Sequence, residues 1–184
     1  QLPEGSSLAK KKKTPAHAPR HPLFVVGGAN LTAVTGLSAS LTQTILTEIG
    51  TDMSKWPDVK HFASWLGLAP HNDISGGKVL RSRTLKTDNR AGQAFRQAAA
   101  SVTRSDSAFG AFYRRKRAQL GPAQALVATA HKIARTVYFM LKYKVPFEDI
   151  GAEGYETQQR ERELVSLQRK AAKLGFDLTP KDQS

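Results

Sequence analysis

The sequence predicts a mainly α-helical chain: a helical bundle with a helix-hairpin-helix-like element near its start and a short extended loop or hairpin around Ser75. Three observations predict it. Apolar residues recur at three- and four-residue spacing through successive segments. Those segments open on Ser, Thr, Asn or Asp and close on Gly or Pro. Two-residue alternation is confined to the stretch from Lys78 to Leu85.

Residues 1–22 read as a flexible basic linker. Pro3, Pro15, Pro19 and Pro22, a Gly-Ser-Ser and the run Lys10 to Lys13 leave too little apolar surface to repay ordering the backbone. The lysine run is a solvated tether or a weak phosphate contact. The first residue is Gln1 and no signal-peptide pattern follows, so the chain reads as a fragment of a longer one.

From Leu23 the chain turns apolar. Asn30 or Thr32 can cap a short helix leading to Thr35-Gly36-Leu37-Ser38, and a second helix runs from about Ala39 to Ile49 and stops at Gly50. Residues 30–50 therefore read as two short helices around a glycine turn. Such a hairpin either aims backbone amides at a phosphate or serves packing alone. Pro57 and the spacing of Val59, Phe62, Ala63 and Leu66 predict a short helix ending at Gly67, with Trp56 and Trp65 in the core on either side.

Leu68-Ala69-Pro70 leads into a serine loop over 70–87. After it, Thr87 or Asp88 is a plausible N-cap for a helix burying Ala91, Ala94, Phe95, Ala98 and Val102. Ser105-Asp106-Ser107 opens a helix carrying Phe109, Phe112 and Tyr113. The longest helix is expected from Pro122 to Tyr143, with Leu126, Ala130, Ile133, Val137 and Leu141 inward and His131 beside them. These three helices make the bundle over 88–145, and residues 23–150 form the main domain. Residues 151–184 form a C-terminal helix and tail, the helix spanning about 156–174. Its stripe Leu164, Leu167, Ala171 and Leu174 either packs back on the bundle or pairs with a partner helix.

The chain has 184 residues, no cysteine and a formal net charge of +13. No long apolar run predicts a membrane span, and the lack of cysteine excludes disulfide and thiolate-metal frameworks and fits a cytoplasmic protein. The charge is uneven. Residues 75–120 hold eleven cations and two acids, whereas residues 23–74 hold two cations and four acids. The basic surplus begins at the serine and points to a polyanion, nucleic acid first.

That serine lies in Asp73-Ile74-Ser75-Gly76-Gly77-Lys78. Gly76 and Gly77 permit a left-handed backbone and close approach of a phosphate. Lys78, Arg81, Arg83, Lys86 and Arg90 follow as phosphate-binding candidates. The segment reads either as a hydroxyl presented to a polyanion or as a solvated turn capped by its serine. Arg114-Arg115-Lys116-Arg117 put cations on every face of a helix and form a second candidate phosphate footprint. No P-loop, dinucleotide fingerprint or zincin spacing occurs, and the five histidines make no ligand cluster. His71, close to Ser75, lacks the nucleophile elbow and third partner of a serine hydrolase.

Runs along the chain resemble a known family. They are Leu46-Thr47-Glu48-Ile49-Gly50-Thr51-Asp52-Met53, Lys60 to Pro70 (Lys-His-Phe-Ala-Ser-Trp-Leu-Gly-Leu-Ala-Pro), Ile74 to Val79, Asn89-Arg90-Ala91, Arg96-Gln97-Ala98-Ala99, Gly110 to Arg115 and Ala128 to Arg135. Over roughly residues 23–178 the sequence resembles the bridge-RNA-guided insertion-sequence transposases, the IS110 and IS1111 group, in their C-terminal serine-bearing domain. Two departures stand out. The usual Pro-Gly-Ile-Gly is here Thr35-Gly36-Leu37-Ser38, and the usual Lys-x-Gly-Asn is Lys86-Thr87-Asp88-Asn89.

The resemblance implies that Ser75 is a catalytic nucleophile toward a DNA phosphodiester. It implies a composite site completed by an N-terminal RuvC-like domain with Asp/Glu/Asp/Asp ligands for Mg2+, absent from this chain, so that this part alone is inactive and holds no metal. It further implies DNA and a guide (bridge) RNA as partners, a homo-oligomer (dimer or tetramer), no membrane, and a cytoplasmic, nucleoid-associated protein. The rival reading is a non-catalytic helix-hairpin-helix module that docks on nucleic acid and oligomerises.

Overall fold

The computed structural model describes residues 25–26, 29–84 and 88–179; the predicted linker lies outside them. As predicted, the architecture is mainly helical, with six α-helices and two small hairpins among the described residues. The first hairpin pairs β1 (Val25–Val26) with β2 (Ala29–Asn30) antiparallel.

Asn30 is the cap that the sequence allows. Its carboxamide oxygen accepts from the Thr32 amide at 3.1 Å and the Thr32 hydroxyl at 2.7 Å. What it starts is a single 3-10 turn, Leu31–Ala33, not the short α-helix expected. Three residues yield too few hydrogen bonds to propagate, and the Val34 and Leu37 amides close back on the Leu31 and Val34 carbonyls. Gly36, with φ +95°, lies so close to the following bundle that a Cβ there would stand 2.6 Å from Val102 and 2.8 Å from the Ala98 carbonyl. The glycine turn is thus packed on protein along one side.

Helix α1 (Ala39–Ile49) begins on Ser38, whose hydroxyl accepts from Leu41 N at 3.3 Å, and ends at Gly50 with φ +72°. Asp52 caps a second 3-10 turn, Met53–Lys55. Asp58 opens α2 (Val59–Trp65), accepting from the Lys60 and His61 amides and the His61 ring. Trp56 is buried, but Trp65 is 40% exposed. The expected core position thus holds for Trp56 and not for Trp65. Trp65 tilts against Trp56 at 5.2 Å with its remaining surface in solvent.

Strands β3 (Pro70–Ser75) and β4 (Lys78–Thr84) form the second hairpin. Helix α3 (Arg90–Ser101) is the middle of the bundle. Ala91, Ala94, Phe95, Ala98 and Ala99 are all buried, and the small side chains let α1 and α5 pack close on either side. Its N-cap is Asn89, not Thr87 or Asp88. The physical reason is that Asn carries both an acceptor and a donor: Oδ1 accepts from Gly92 N at 2.9 Å while Nδ2 donates to the Trp65 carbonyl at 3.2 Å.

Ser107 caps α4 (Ala108–Leu120), and α5 (Pro122–Tyr143) starts with proline at its first turn, where no amide is needed. Ala130, Ile133, Val137 and Leu141 are buried along α5, and Leu126 is half-buried. The last helix, α6 (Gly151–Lys173), starts five residues before the expected 156 and, at 23 residues, is one longer than α5. Two glycines in the first turns disfavour helix locally, but Ala152 and Tyr155 bury against Ala111 and Phe112, and tertiary packing wins.

Asp149 links three parts. It accepts from Thr35 Oγ1 at 2.6 Å, from the Ala108 amide at 3.0 Å and from the Gly151 amide at 2.9 Å, joining the glycine turn to the starts of α4 and α6. Among the described residues no helix is long and apolar enough to cross a membrane.

Candidate nucleic-acid interface

The base of the second hairpin is held by three contacts between the end of α2 and the start of α3. Asn89 takes the Trp65 carbonyl. Gly92 lies against the Leu66 carbonyl so tightly that a Cβ would come to 2.2 Å. Arg96 Nη2 donates to the Gly67 carbonyl at 2.7 Å. The Trp65 carbonyl at the end of α2 and the Gly67 carbonyl just beyond it are thus taken up by side chains at the start of α3 and on it. Leu68 is buried next in line, and Pro70 starts the strand.

Beyond this base the two strands pair mainly with each other. The register sets Pro70 opposite Thr84, His71 opposite Arg83, Asn72 opposite Ser82 and Asp73 opposite Arg81. A shift between Asp73 and Ile74 leaves Leu80 as the extra residue, and the pairing resumes with Ile74–Val79 and Ser75–Lys78. Ile74 is 63% and Leu80 71% exposed, so the outer half of the hairpin is out of the core on both strands.

Ser75 and Lys78 flank the two-residue turn Gly76-Gly77, and all four are exposed. Both glycines have positive φ, 56° and 75°, the backbone of a tight turn between twisted strands. Nothing lies within 4 Å of a Cβ built on either, so the tip is open space into which a phosphate or a second macromolecule fits.

The sequence candidates thus fall into separate groups. Ser75, Gly76, Gly77 and Lys78 make the tip. Arg81 and Arg83 lie on β4 in the register above; their side chains and the whole of Lys86 lie outside what the structure describes. Arg90 starts α3 and reaches Glu48 of α1 at 3.5 Å, with most of its guanidinium still in water.

The run on α4 is a third group, and its members differ. Arg115 is half-buried between α4 and α6, donating to Gln159 and pairing with Glu163 at 2.5 Å. Arg114 Nη1 donates to the Ser105 carbonyl at 3.0 Å, and Lys116 to Gln119 at 3.1 Å. Arg117 is exposed. Arg115 therefore binds two helices together, a use that the run of like charges conceals. Arg96 was likewise one cation among many in the sequence; its role needs the Gly67 carbonyl, which only the fold supplies.

Among the described residues, no three His, Cys, Asp or Glu side chains come together as a cation site. His131 is half-buried on α5, and burial, with Arg135 nearby, lowers its pKa. Lys132, next to it, sits 4.5 Å from both the Phe112 and Tyr155 rings, and burial brings its pKa down to about 8.

Residues 28–114 match the family model of the transposase IS116/IS110/IS902 family. That span contains α1, α2, the serine hairpin, α3 and the first half of α4, and stops short of α5 and α6. Comparison with curated proteins and with solved structures gives no match.

Proposed function

We propose that this chain is the C-terminal part of an insertion-sequence transposase, and that Ser75 attacks a DNA phosphodiester. The observation that carries the proposal is an exposed serine at the tip of a projecting Gly-Gly hairpin, inside the span that matches a transposase family.

In the step proposed, a bond forms between Ser75 Oγ and phosphorus while the bond from phosphorus to one deoxyribose oxygen breaks. The hydroxyl proton passes to a base and the leaving oxygen gains one. One phosphoester replaces another, so attack by a second DNA hydroxyl can release the serine and join a new strand. A serine hydroxyl is a weak nucleophile and needs that base close by. Lys78, which pairs with Ser75, offsets charge on the five-coordinate phosphorus, and Arg81, Arg83 and Lys86 take flanking phosphates of the same DNA. Arg90, Arg114, Lys116 and Arg117 extend the phosphate contacts.

The remaining parts follow the resemblance: a RuvC-like domain whose carboxylates hold Mg2+, and a guide RNA that pairs with the DNA. In this reading the metal belongs to the other domain, and no step is routed through it here.

The test is covalent trapping. Full-length protein, or this chain with the RuvC-like half supplied, is incubated with a nicked DNA substrate, and the serine adduct is sought by mass spectrometry. The expected result is an adduct on Ser75 that Ser75→Ala abolishes, while the 184-residue chain alone binds DNA with steep salt dependence and leaves it uncut. Cutting by the chain alone, or an adduct surviving Ser75→Ala, overturns the proposal, and DNA binding with no adduct on any residue favours the docking module.

A further inference from the structure

Helix α6 is two different helices in sequence. Up to Glu163 one side meets α4 through Ala152, Tyr155, Gln159 and Glu163. From Arg160 to Lys173 no residue is buried, and Ala171 alone is half-covered. Beyond Glu163 about 15 Å of helix therefore stands in water, a length that is marginal without a partner. It is properly terminated all the same: the Phe176 amide bonds the Ala171 carbonyl and Gly175 takes φ +80°, a C-cap that ends a built helix.

This stretch has two sides. Leu164, Leu167, Ala171 and Leu174 share one, with the leucines 50%, 51% and 74% exposed. By helical geometry that side lies about a quarter turn from the one on α4, so a neighbour can approach it without displacing α4. Arg162, Arg169 and Lys173 lie opposite.

The charge along α6 selects the neighbour. Residues 153–163 carry four acids and two cations, whereas residues 164–174 carry three cations and no acid. We infer that α6 pairs antiparallel with α6 of a second copy of this chain along the Leu164–Leu174 stripe. In that pair Leu164 packs on Leu167 of the second copy, and Ala171 meets the aliphatic stem of Arg160 across the two-fold axis. Lys170 stands beside Glu163 of the second copy, and each acidic half faces a basic half. A parallel pair would instead lay the two basic ends side by side and leave Lys170 without Glu163 of the second copy. This pairing is independent of the reading of Ser75.

The native chain has no cysteine, so single thiols report the geometry directly. Nuclease-treated full chain is examined by sedimentation equilibrium. The expected result is a concentration-dependent dimer, with Leu164→Glu plus Leu167→Glu weakening it at least about a hundredfold while the bundle of α1 to α5 keeps its thermal transition, since both leucines lie outside its core. Under mild oxidation, Ala171→Cys mixed with Arg160→Cys gives a mixed disulfide, and Ala171→Cys alone gives little. A monomer at all concentrations, a dimer indifferent to the two glutamates, or self-linking of Ala171→Cys above the mixed product overturns the inference.

Discussion

Arg96 and Gly67 are joined across the base of the serine hairpin: the guanidinium donates to the carbonyl at 2.7 Å from a half-buried position on α3. With Asn89 on the Trp65 carbonyl, this makes α3 the fixed mount from which the hairpin departs. Arg96→Met keeps most of the side-chain volume and removes the donor. The expected loss is about 1–2 kcal/mol of stability in denaturant melts, with hairpin amides exchanging faster than those of α5.

Gly92→Ala tests the same mount with the opposite local bias. Alanine favours helix by about 1 kcal/mol over glycine, so an isolated α3 peptide gains helicity. In the folded chain the new Cβ meets the Leu66 carbonyl at 2.2 Å, and the expected net effect is a loss of about 2–3 kcal/mol. Peptide circular dichroism and protein melts together check the reversal of sign.

At the tip the expectation is indifference. Ser75→Ala touches an exposed side chain and changes stability by less than about 0.5 kcal/mol, so lost chemistry in that variant is not lost folding. Gly77→Val, by contrast, forces a β-branched residue to φ 75° and weakens the turn while leaving the Tm of the bundle in place. Hydrogen exchange on β3 and β4 separates the two.

Acid should reach α2 early among the helices. The Asp58 carboxyl is held down to about 2, chiefly by the His61 amide and ring and then by the Lys60 amide. A carboxyl with a folded pKa below its unfolded value contributes stability above the unfolded pKa, and that contribution drains away as pH falls from about 4 toward 2. Asp58→Asn keeps a capping oxygen and flattens this part of the pH–stability curve, measured by melts across that window.

The helical frame was legible because its signals are local. Ser38 and Gly50 bracket α1, Pro122 opens α5, and the apolar spacing marks the buried side of α3 in advance. What escaped was set by distant partners. Gly36 and Gly92 are required by the atoms they touch, Asn89 outcompetes its neighbours because of a carbonyl on another helix, and α6 starts early because Tyr155 finds Phe112. Of the candidate site, residue types and their order along the hairpin could be read directly. The division of labour among the cations could not, because Arg96 and Arg115 differ from Lys78 only in what the fold brings to them.

The length of the serine hairpin has a mechanical consequence. Six residues from Pro70 to Ser75 span roughly 18 Å at strand rise, with the mount at one end and the hydroxyl at the other. A rotation of about 10° at Pro70 and Thr84 carries Ser75 roughly 3 Å, which in the attack proposed above separates reaching a phosphorus from missing it. The hairpin is a lever whose base is set by α3, so small changes at Asn89, Gly92 or Arg96 are magnified at Ser75.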